Sequence, residues 1–277
     1  MDGKVKIWDV FGKHQVRRTY MGHSAGVRSI NFSNDGTRFL TSSFDHTIKL
    51  WDTETGQIIS EFEGDSEKCV AYTVKFNPDD DRQHHFVAAT STQKVLQFDI
   101  KSGEIVQKYD RHLNAVNTIT FIDNNRKFIT TSDDKSIRVW EWGIPVEVKM
   151  IAEPYMHSMP SVAKSWDDKW VTFQSLDNQI IVYKAKNGFA LRPKKVFRGH
   201  EVAGYACQMG FSPDGQYFMS GSFNGFKGKL FIWEWKTTRI VKTINAHSKV
   251  CIGCVWHPIE PSTVITCGWD HLIKMWK

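Results

Sequence analysis

Several groups of residues in this sequence could do chemistry. His23, Thr41, Asp45 and Trp51 bring together an imidazole, a hydroxyl and a carboxylate, the parts of a nucleophilic triad. His112, Thr130, Asp134 and Trp140 repeat the same four types. Cys251-Ile252-Gly253-Cys254 is a C-x-x-C, the pattern of a zinc half-site or a redox pair. His84-His85, behind the polar run Asp79-Asp80-Asp81-Arg82-Gln83, offers metal-ligating nitrogens, and Asp133-Asp134 has the form of paired carboxylates.

Spacing decides between these readings. Counted from the Asp, both four-residue sets stand at −22, −4, 0 and +6. Thr266, Asp270 and Trp276 keep the last three offsets, with His247 one residue further back. A catalytic set has no reason to recur at fixed spacing, whereas a structural device does. A His in a loop before a strand needs its ring hydrogens accepted. A carboxylate and a hydroxyl supply that, and the hydroxyl also accepts from an indole N–H. The twelve residues are therefore expected to form structural networks and not a catalytic site.

The other groups fare no better as chemistry. In a strand, residues i and i+3 face opposite ways, so Cys251 and Cys254 should not converge, and no second pair stands at ligand spacing. His84-His85 reads as part of a solvated loop, and Asp134 is committed to His112. No phosphate-binding loop, H-E-x-x-H or G-x-S-x-G occurs. The expectation is no enzyme, no cofactor, no metal and no small-molecule substrate.

The elements that must position these residues also repeat. Short apolar stretches end in an aromatic residue at positions 8, 51, 98, 140, 183, 233 and 276, at intervals of 43, 47, 42, 43, 50 and 43 residues. Within residues 23–63, strands at Val27 to Phe32, Arg38 to Ser43, Ile48 to Trp51 and Ile58 to Phe62 are separated by turns at Asn34-Asp35-Gly36, Phe44-Asp45-His46 and Gly56. One four-stranded meander cannot bury both its faces, so the units must pack on one another, and radial packing gives a β-propeller. The repeats also account for 11 tryptophans in 277 residues, about 4% against roughly 1–1.5% in average proteins.

Composition sets outer limits. At 41% hydrophobic, the sequence is that of a folded chain, and no apolar run is long enough for a transmembrane helix. The residues from Met1 to Lys6 are not followed by the apolar region of a signal peptide. Five cysteines, an odd and low number, fit a reducing compartment. A net charge of +6 is too weak to mark a nucleic-acid surface by itself.

The His, Ser/Thr, Asp and Trp offsets resemble the WD-repeat family, whose four residues form a buried hydrogen-bonded network in each blade. Three repeats depart from the pattern. The third has Asp65, Thr92 and Phe98 at the His, Asp and Trp positions. The fifth keeps His157 and Asp177 but has Phe173 and Tyr183 at the hydroxyl and Trp positions. The sixth keeps His200, Ser220 and Trp233, replaces Asp by Asn224, and carries extra residues around Gly225-Phe226-Lys227-Gly228. Those blades should rely on packing, and the sixth should carry a bulged turn.

The expected fold is all-β, a seven-bladed WD-repeat β-propeller that is N-terminally incomplete, with about 25 of the 28 strands a closed ring needs. Asp2 stands six residues before Trp8, so the first blade would lack its first two strands, and the ring-closing strand would be absent. Residues 1–277 would form a single domain with repeat cores ending near 9, 52, 99, 141, 184, 234 and 277.

Segments outside the repeat positions carry a narrower resemblance. Residues 77–157, GHEVAGYACQMGFSPDG at 199–215, EWKTT at 234–238, AHSKVCIGCVWHP at 246–258 and VITCGWDHLIKMWK at 264–277 closely resemble the C-terminal propellers of a family of spliceosomal WD-repeat proteins. The resemblance extends to Ile144-Pro145 and Glu153-Pro154, which a generic propeller would not share. It implies a nuclear, non-enzymatic scaffold of the spliceosome acting around the second transesterification of pre-mRNA splicing. Its partners would be spliceosomal proteins and spliceosomal RNA, with no membrane and no homo-oligomer. The rival is a substrate-receptor adaptor of a ubiquitin ligase. Such receptors often carry Trp-Asp-x-Arg, and Trp8-Asp9-Val10-Phe11 and Trp51-Asp52-Thr53-Glu54 lack the Arg.

Surface candidates are of two kinds. Phe44 and Trp269 precede a network Asp, and Phe223 precedes Asn224, in turns that propellers place on the face with the central opening. Exposed aromatics there would be interaction hot spots. Basic clusters stand at Arg17-Arg18, Arg192-Pro193-Lys194-Lys195 and Lys227-Gly228-Lys229. Of these, Arg192, Lys194 and Lys195 are candidates for phosphate or acidic-protein contact.

Overall fold

The computed structural model describes residues 2–79, 83–186 and 188–277. Of the polar run before His84, Asp80, Asp81 and Arg82 lie outside the described residues. Those described form 25 strands and no helix. Six sheets of three or four strands, the blades, span 27–63, 71–109, 116–151, 161–197, 209–247 and 251–276, and a two-stranded sheet spans 5–20. The blade at 251–276 has three strands and the other five have four. Seven blades were expected; the described residues hold six and the smaller sheet.

Every sheet is an antiparallel meander in chain order, as short connections dictate. The turns are built from local chemistry. At Asn34-Asp35-Gly36, Gly36 takes φ +70° and its N–H donates to Ser33 at 3.0 Å. The Asp35 carboxylate accepts from Ser33 Oγ, Thr37 N and Thr37 Oγ1 at 2.5, 3.0 and 2.7 Å, which holds its pKa down at about 2. Ser165/Asp167 and Ser212/Asp214 repeat the Ser–Asp bond at 2.6 and 2.5 Å.

Burial follows position in the meander. The second strand of the 27–63 blade, Arg38–Ser43, is buried at all but its first residue, whereas its fourth strand, Ile58–Glu63, is mostly exposed. Four of the repeat tryptophans sit where their strand falls out of register with the strand that follows it. Bulges occur at Ile7/Trp8, Leu50/Trp51, Val139/Trp140 and Ile232/Trp233. An extra residue on the partner strand re-aims the side chain at each site.

By contact density the chain divides into two compact units. One holds the residues up to Phe121 with Asn125–Ile151, the other Ile122–Asn124 with Ala152–Lys277. In the first, Leu40 and Leu50 of the 27–63 blade pack against Phe76, Phe86 and Phe98 of the next. Val87 and Tyr109 then meet Ile119, Phe128 and Trp140 of the 116–151 blade. In the second, Ile180, Val182 and Phe197 pack on Phe211, Phe218 and Trp233, and Met219 and Leu230 pack on Cys254 and Trp256. Each side chain so buried contributes about 1.5–3 kcal/mol, which is what a lone meander cannot collect.

Candidate functional site

Three four-residue sets converge on shared geometry. His23 Nδ1 meets Asp45 Oδ2 at 2.7 Å, His23 Nε2 meets Thr41 Oγ1 at 2.7 Å, and Trp51 Nε1 donates to Thr41 Oγ1 at 2.8 Å. For His112, Asp134, Thr130 and Trp140 the distances are 2.8, 2.7 and 2.9 Å. For His247, Asp270, Thr266 and Trp276 they are 2.8, 2.9 and 2.9 Å. The Asp also ties the loop ahead of the blade: Asp45 accepts from Ser24 N, Asp134 from Leu113 N and Asp270 from Ser248 N, at 2.9, 3.0 and 3.1 Å.

Donor counting places one proton in each set. An ionised carboxylate only accepts, so Nδ1 of each His carries hydrogen. The Thr oxygen accepts the indole hydrogen and also meets the ring at Nε2. Burial lowers the His23 pKa against the pull of Asp45, in keeping with a neutral ring. Burial pushes the Asp45 carboxyl up, but bonds from Thr47, His23 and Ser24 outweigh it and hold it at about 2. Asp134 stands further below the usual carboxylate range through His112, Ser136 and Leu113, which overcome its desolvation. Every polar atom here faces inward. Thr41 and Thr130 have no exposed surface, so the sets can hold loops but cannot reach a substrate.

The variant blades solve the same problem differently. In the 71–109 blade, Asp65 is paired with Lys94 at 2.7 Å and Lys108 at 3.4 Å, where packing alone was expected. Thr92 meets the Thr90 hydroxyl at 2.9 Å. In the 161–197 blade, His157 and Asp177 are both exposed, and Asp177 accepts from Gln179 at 3.1 Å. Phe173 leaves no hydroxyl to hold the ring inside, and Tyr183 stacks on Phe189 with centroids 4.8 Å apart. The 209–247 blade carries the irregular turn expected, with Asn224 accepting from Phe226 N and Lys227 N at 3.2 and 3.0 Å and a register shift at Gly228/Lys229.

In that blade the hydrogen bonds are rerouted. His200 Nε2 donates to Gln174 Oε1 of the preceding blade at 2.8 Å, and Ser220 Oγ lies 3.3 Å from the same oxygen. Trp233 donates to the Arg198 carbonyl at 3.1 Å instead of to Ser220. His200 Nδ1 is buried without a partner, and burial pushes the ring pKa down to about 4. Nothing in the repeat spacing points to Gln174, which acts across blades.

The remaining sequence candidates have plain places. Asp133 accepts from Asn117 Nδ2 at 2.7 Å, away from any acid–base pairing with Asp134. A register shift at Cys251/Gly253 breaks the alternation expected of a regular strand, and Cys251 and Cys254 are both buried in one apolar cluster. Burial raises the Cys251 thiol to about 12 and Cys254 well above its ordinary value, so both stay protonated. No group of three or more His, Cys, Asp or Glu among the described residues could hold a metal.

The surface candidates are only partly free. Arg192 lies over the Trp170 ring at 5.6 Å, and Lys195 lies over Trp235 at 4.1 Å and donates to its carbonyl at 2.6 Å, while Lys194 is exposed. Phe44 and Trp269 are exposed, at 41% and 47%, and Phe223 is half-buried. Sequence reasoning missed Tyr205, which stands edge-on to both Phe223 and Trp269 with centroids at 5.6 and 4.9 Å.

Comparisons with known proteins agree with the repeat structure. The family model described as WD domain, G-beta repeat, matches residues 14–52, 103–141, 191–234 and 238–277. Human Pre-mRNA-processing factor 17 is 59% identical over 276 residues, covering 100% of this chain and 47% of that protein. The Saccharomyces cerevisiae Pre-mRNA-processing factor 17 is 35% identical over 271 residues, 96% of this chain and 58% of that protein. The chain thus spans about half the length of the curated relatives it matches, and the narrower resemblance read from its loops is borne out. The β-propeller domain of Myceliophteria thermophila Cps50 (Swd1) superposes with TM-score 0.83 at 18% identity, over 99% of this chain and 90% of that one, a likeness of fold alone. With its family model covering more than half the residues, the chain belongs to the WD domain, G-beta repeat family, and its fold is an all-β WD40 β-propeller.

Proposed function

We propose that this chain is a non-enzymatic scaffold of the spliceosome that works in the nucleus around the second transesterification of pre-mRNA splicing. The observation that carries the reading is identity of 59% to human Pre-mRNA-processing factor 17 along the whole chain. The polar sets support it. His, Thr and Asp are consumed in holding loops, which leaves docking as the work of the exterior. Phe44, Phe223 and Trp269 are its aromatic contacts, since large rings in turns supply rigid area at little entropic cost. The partners are spliceosomal proteins. The propeller acts as one domain over residues 1–277, and the 5–20 sheet, with Trp8 at its bulge, supplies the third and fourth strands of a seventh blade.

Affinity purification of the full-length protein from nuclear extract tests this. Splicing proteins and small nuclear RNAs should co-purify. Recovery of cullin-type ligase subunits without splicing factors would overturn the reading in favour of a ubiquitin-ligase adaptor.

A further inference from the structure

The outer strand of the 161–197 blade carries an unusual stretch of charge. Residues 178–200 contain six cations, Lys184, Lys186, Arg192, Lys194, Lys195 and Arg198, and no Asp or Glu. Elsewhere the chain pairs many of its cations with carboxylates, as in Lys49–Glu61, Lys94–Asp65, Arg138–Glu147 and Lys164–Asp168. Among the described residues none of the six forms an ion pair.

Backbone geometry sets three of these cations, together with Pro193, in a bulge. Ile181 pairs with Val196 and Tyr183 with Leu191, so Arg192, Pro193, Lys194 and Lys195 together stand opposite Val182 alone. Pro193 cannot donate to a ladder, which suits it to such a bulge. The bulge is braced from below. Trp170 and Trp235 lie 6.1 Å apart, Arg192 sits over one ring and Lys195 over the other. The Lys195 bond to the Trp235 carbonyl pins it further. A guanidinium laid over an indole keeps its N–H edges free to pair with two oxygens of a phosphate. Lys194 stands exposed between the two, and Lys236 and Arg239, both exposed, continue the positive surface beyond Trp235. Glu234, the nearest carboxylate in that sequence, is tied to Thr237 at 2.5 Å.

We propose that the tryptophan-braced bulge Arg192–Lys195 is a binding site for the phosphate backbone of a single-stranded polynucleotide. Cations with no internal carboxylate retain their full attraction for external anions, and two of them are held in place before any ligand arrives. Neutralising phosphates releases counterions, so each contact leaves a signature in salt dependence. The site reads charge and not sequence. It stands on charge and geometry independently of the splicing reading, and its failure would leave that reading untouched.

Fluorescence anisotropy of the full 277-residue chain with a labelled uridine 20-mer, titrated across salt concentrations, tests the proposal. Lys194→Gln should lower the slope of log K against log salt by about 0.7, and Arg192→Gln/Lys194→Gln/Lys195→Gln by about 2. Arg17→Gln/Arg18→Gln should leave the slope unchanged. A deoxythymidine 20-mer should bind like the uridine one, because backbone contacts ignore the base and sugar. Three results would overturn the site: an unchanged slope in Lys194→Gln, an equal loss in the Arg17/Arg18 pair, or displacement by polyglutamate as effective as by RNA, which would mark an acidic-peptide surface. Lys194 is exposed and braces nothing, so its single variant keeps the test valid should the triple variant misfold.

Discussion

The blades at 116–151 and 209–247 bury their repeat tryptophans equally, with Trp140 and Trp233 both at 0% exposure, yet they do so by different bonding. In the first, His112, Asp134, Thr130 and Trp140 close a circuit, and both ring nitrogens have partners. In the second, Asn224 turns away to its own loop and His200 leans on Gln174 of the neighbouring blade, with Nδ1 left unpaired. One blade completes its histidine hydrogen bonds within its own repeat, and the histidine of the other bonds to its neighbour. A buried Trp therefore does not require the full network. What the network adds is a set of polar bonds that does not draw on the next blade.

Acid should break this equivalence most strongly. The His200 ring titrates at about 4 in the folded chain against about 6.5 unfolded, so the unfolded state takes up the proton first. Stability that is intact above pH 6.5 is lost as pH falls toward 4, by about 3 kcal/mol in all. His200→Phe should flatten that part of the urea-midpoint profile. The 116–151 blade loses stability only under stronger acid. Asp134 is held below its ordinary 3.8, so its contribution persists above that pH and declines below it.

Side-chain truncation gives the next effects in size. Asp134→Ala should cost about 1–3 kcal/mol, because it strands the buried His112 N–H and the part-buried amide and hydroxyl of Ser136. An unchanged denaturation midpoint would refute the structural role of the network. Gln174→Ala should cost about 1–2 kcal/mol, and part of that cost should disappear in a His200→Phe background, since one hydrogen bond joins the two, while the bonds of Gln174 to Ser220, Ser175 and Gln179 are lost in either background. Additive costs in that double-mutant cycle would remove the claimed dependence between blades. Asn224→Ala, at the position equivalent to Asp134, should change stability by less than about 0.5 kcal/mol, since its bonds are exposed.

The two blades also mark where the sequence could be read. His23, His112 and His247 announced their partners because each network closes within one repeat, where fixed strand lengths turn geometry into constant offsets. Gln174 did not, since its partner His200 stands 26 residues away across a boundary between repeats. The same limit hid the tryptophans beneath Arg192 and Lys195, whose place depends on how one blade meets the next. At His157 the motif residue survived while its function lapsed, because Phe173 removed the hydroxyl that would have drawn the ring inward. At Cys251 a bulge shifted the alternation that regular strand geometry implied. The all-β repeat architecture was legible, and so was an incomplete first repeat; of the seven blades expected, the described residues show six and the two-stranded sheet. A two-stranded sheet at 5–20 satisfies the same Trp spacing as a complete blade.

A splicing assay in nuclear extract depleted of its own copy of the protein addresses the function directly. Added back, the full-length protein should restore spliced product. Without it, the free 5′ exon and the lariat intermediate should accumulate, as a block at the second transesterification requires. Unchanged splicing in the depleted extract, or a halt before any lariat forms, would contradict the account.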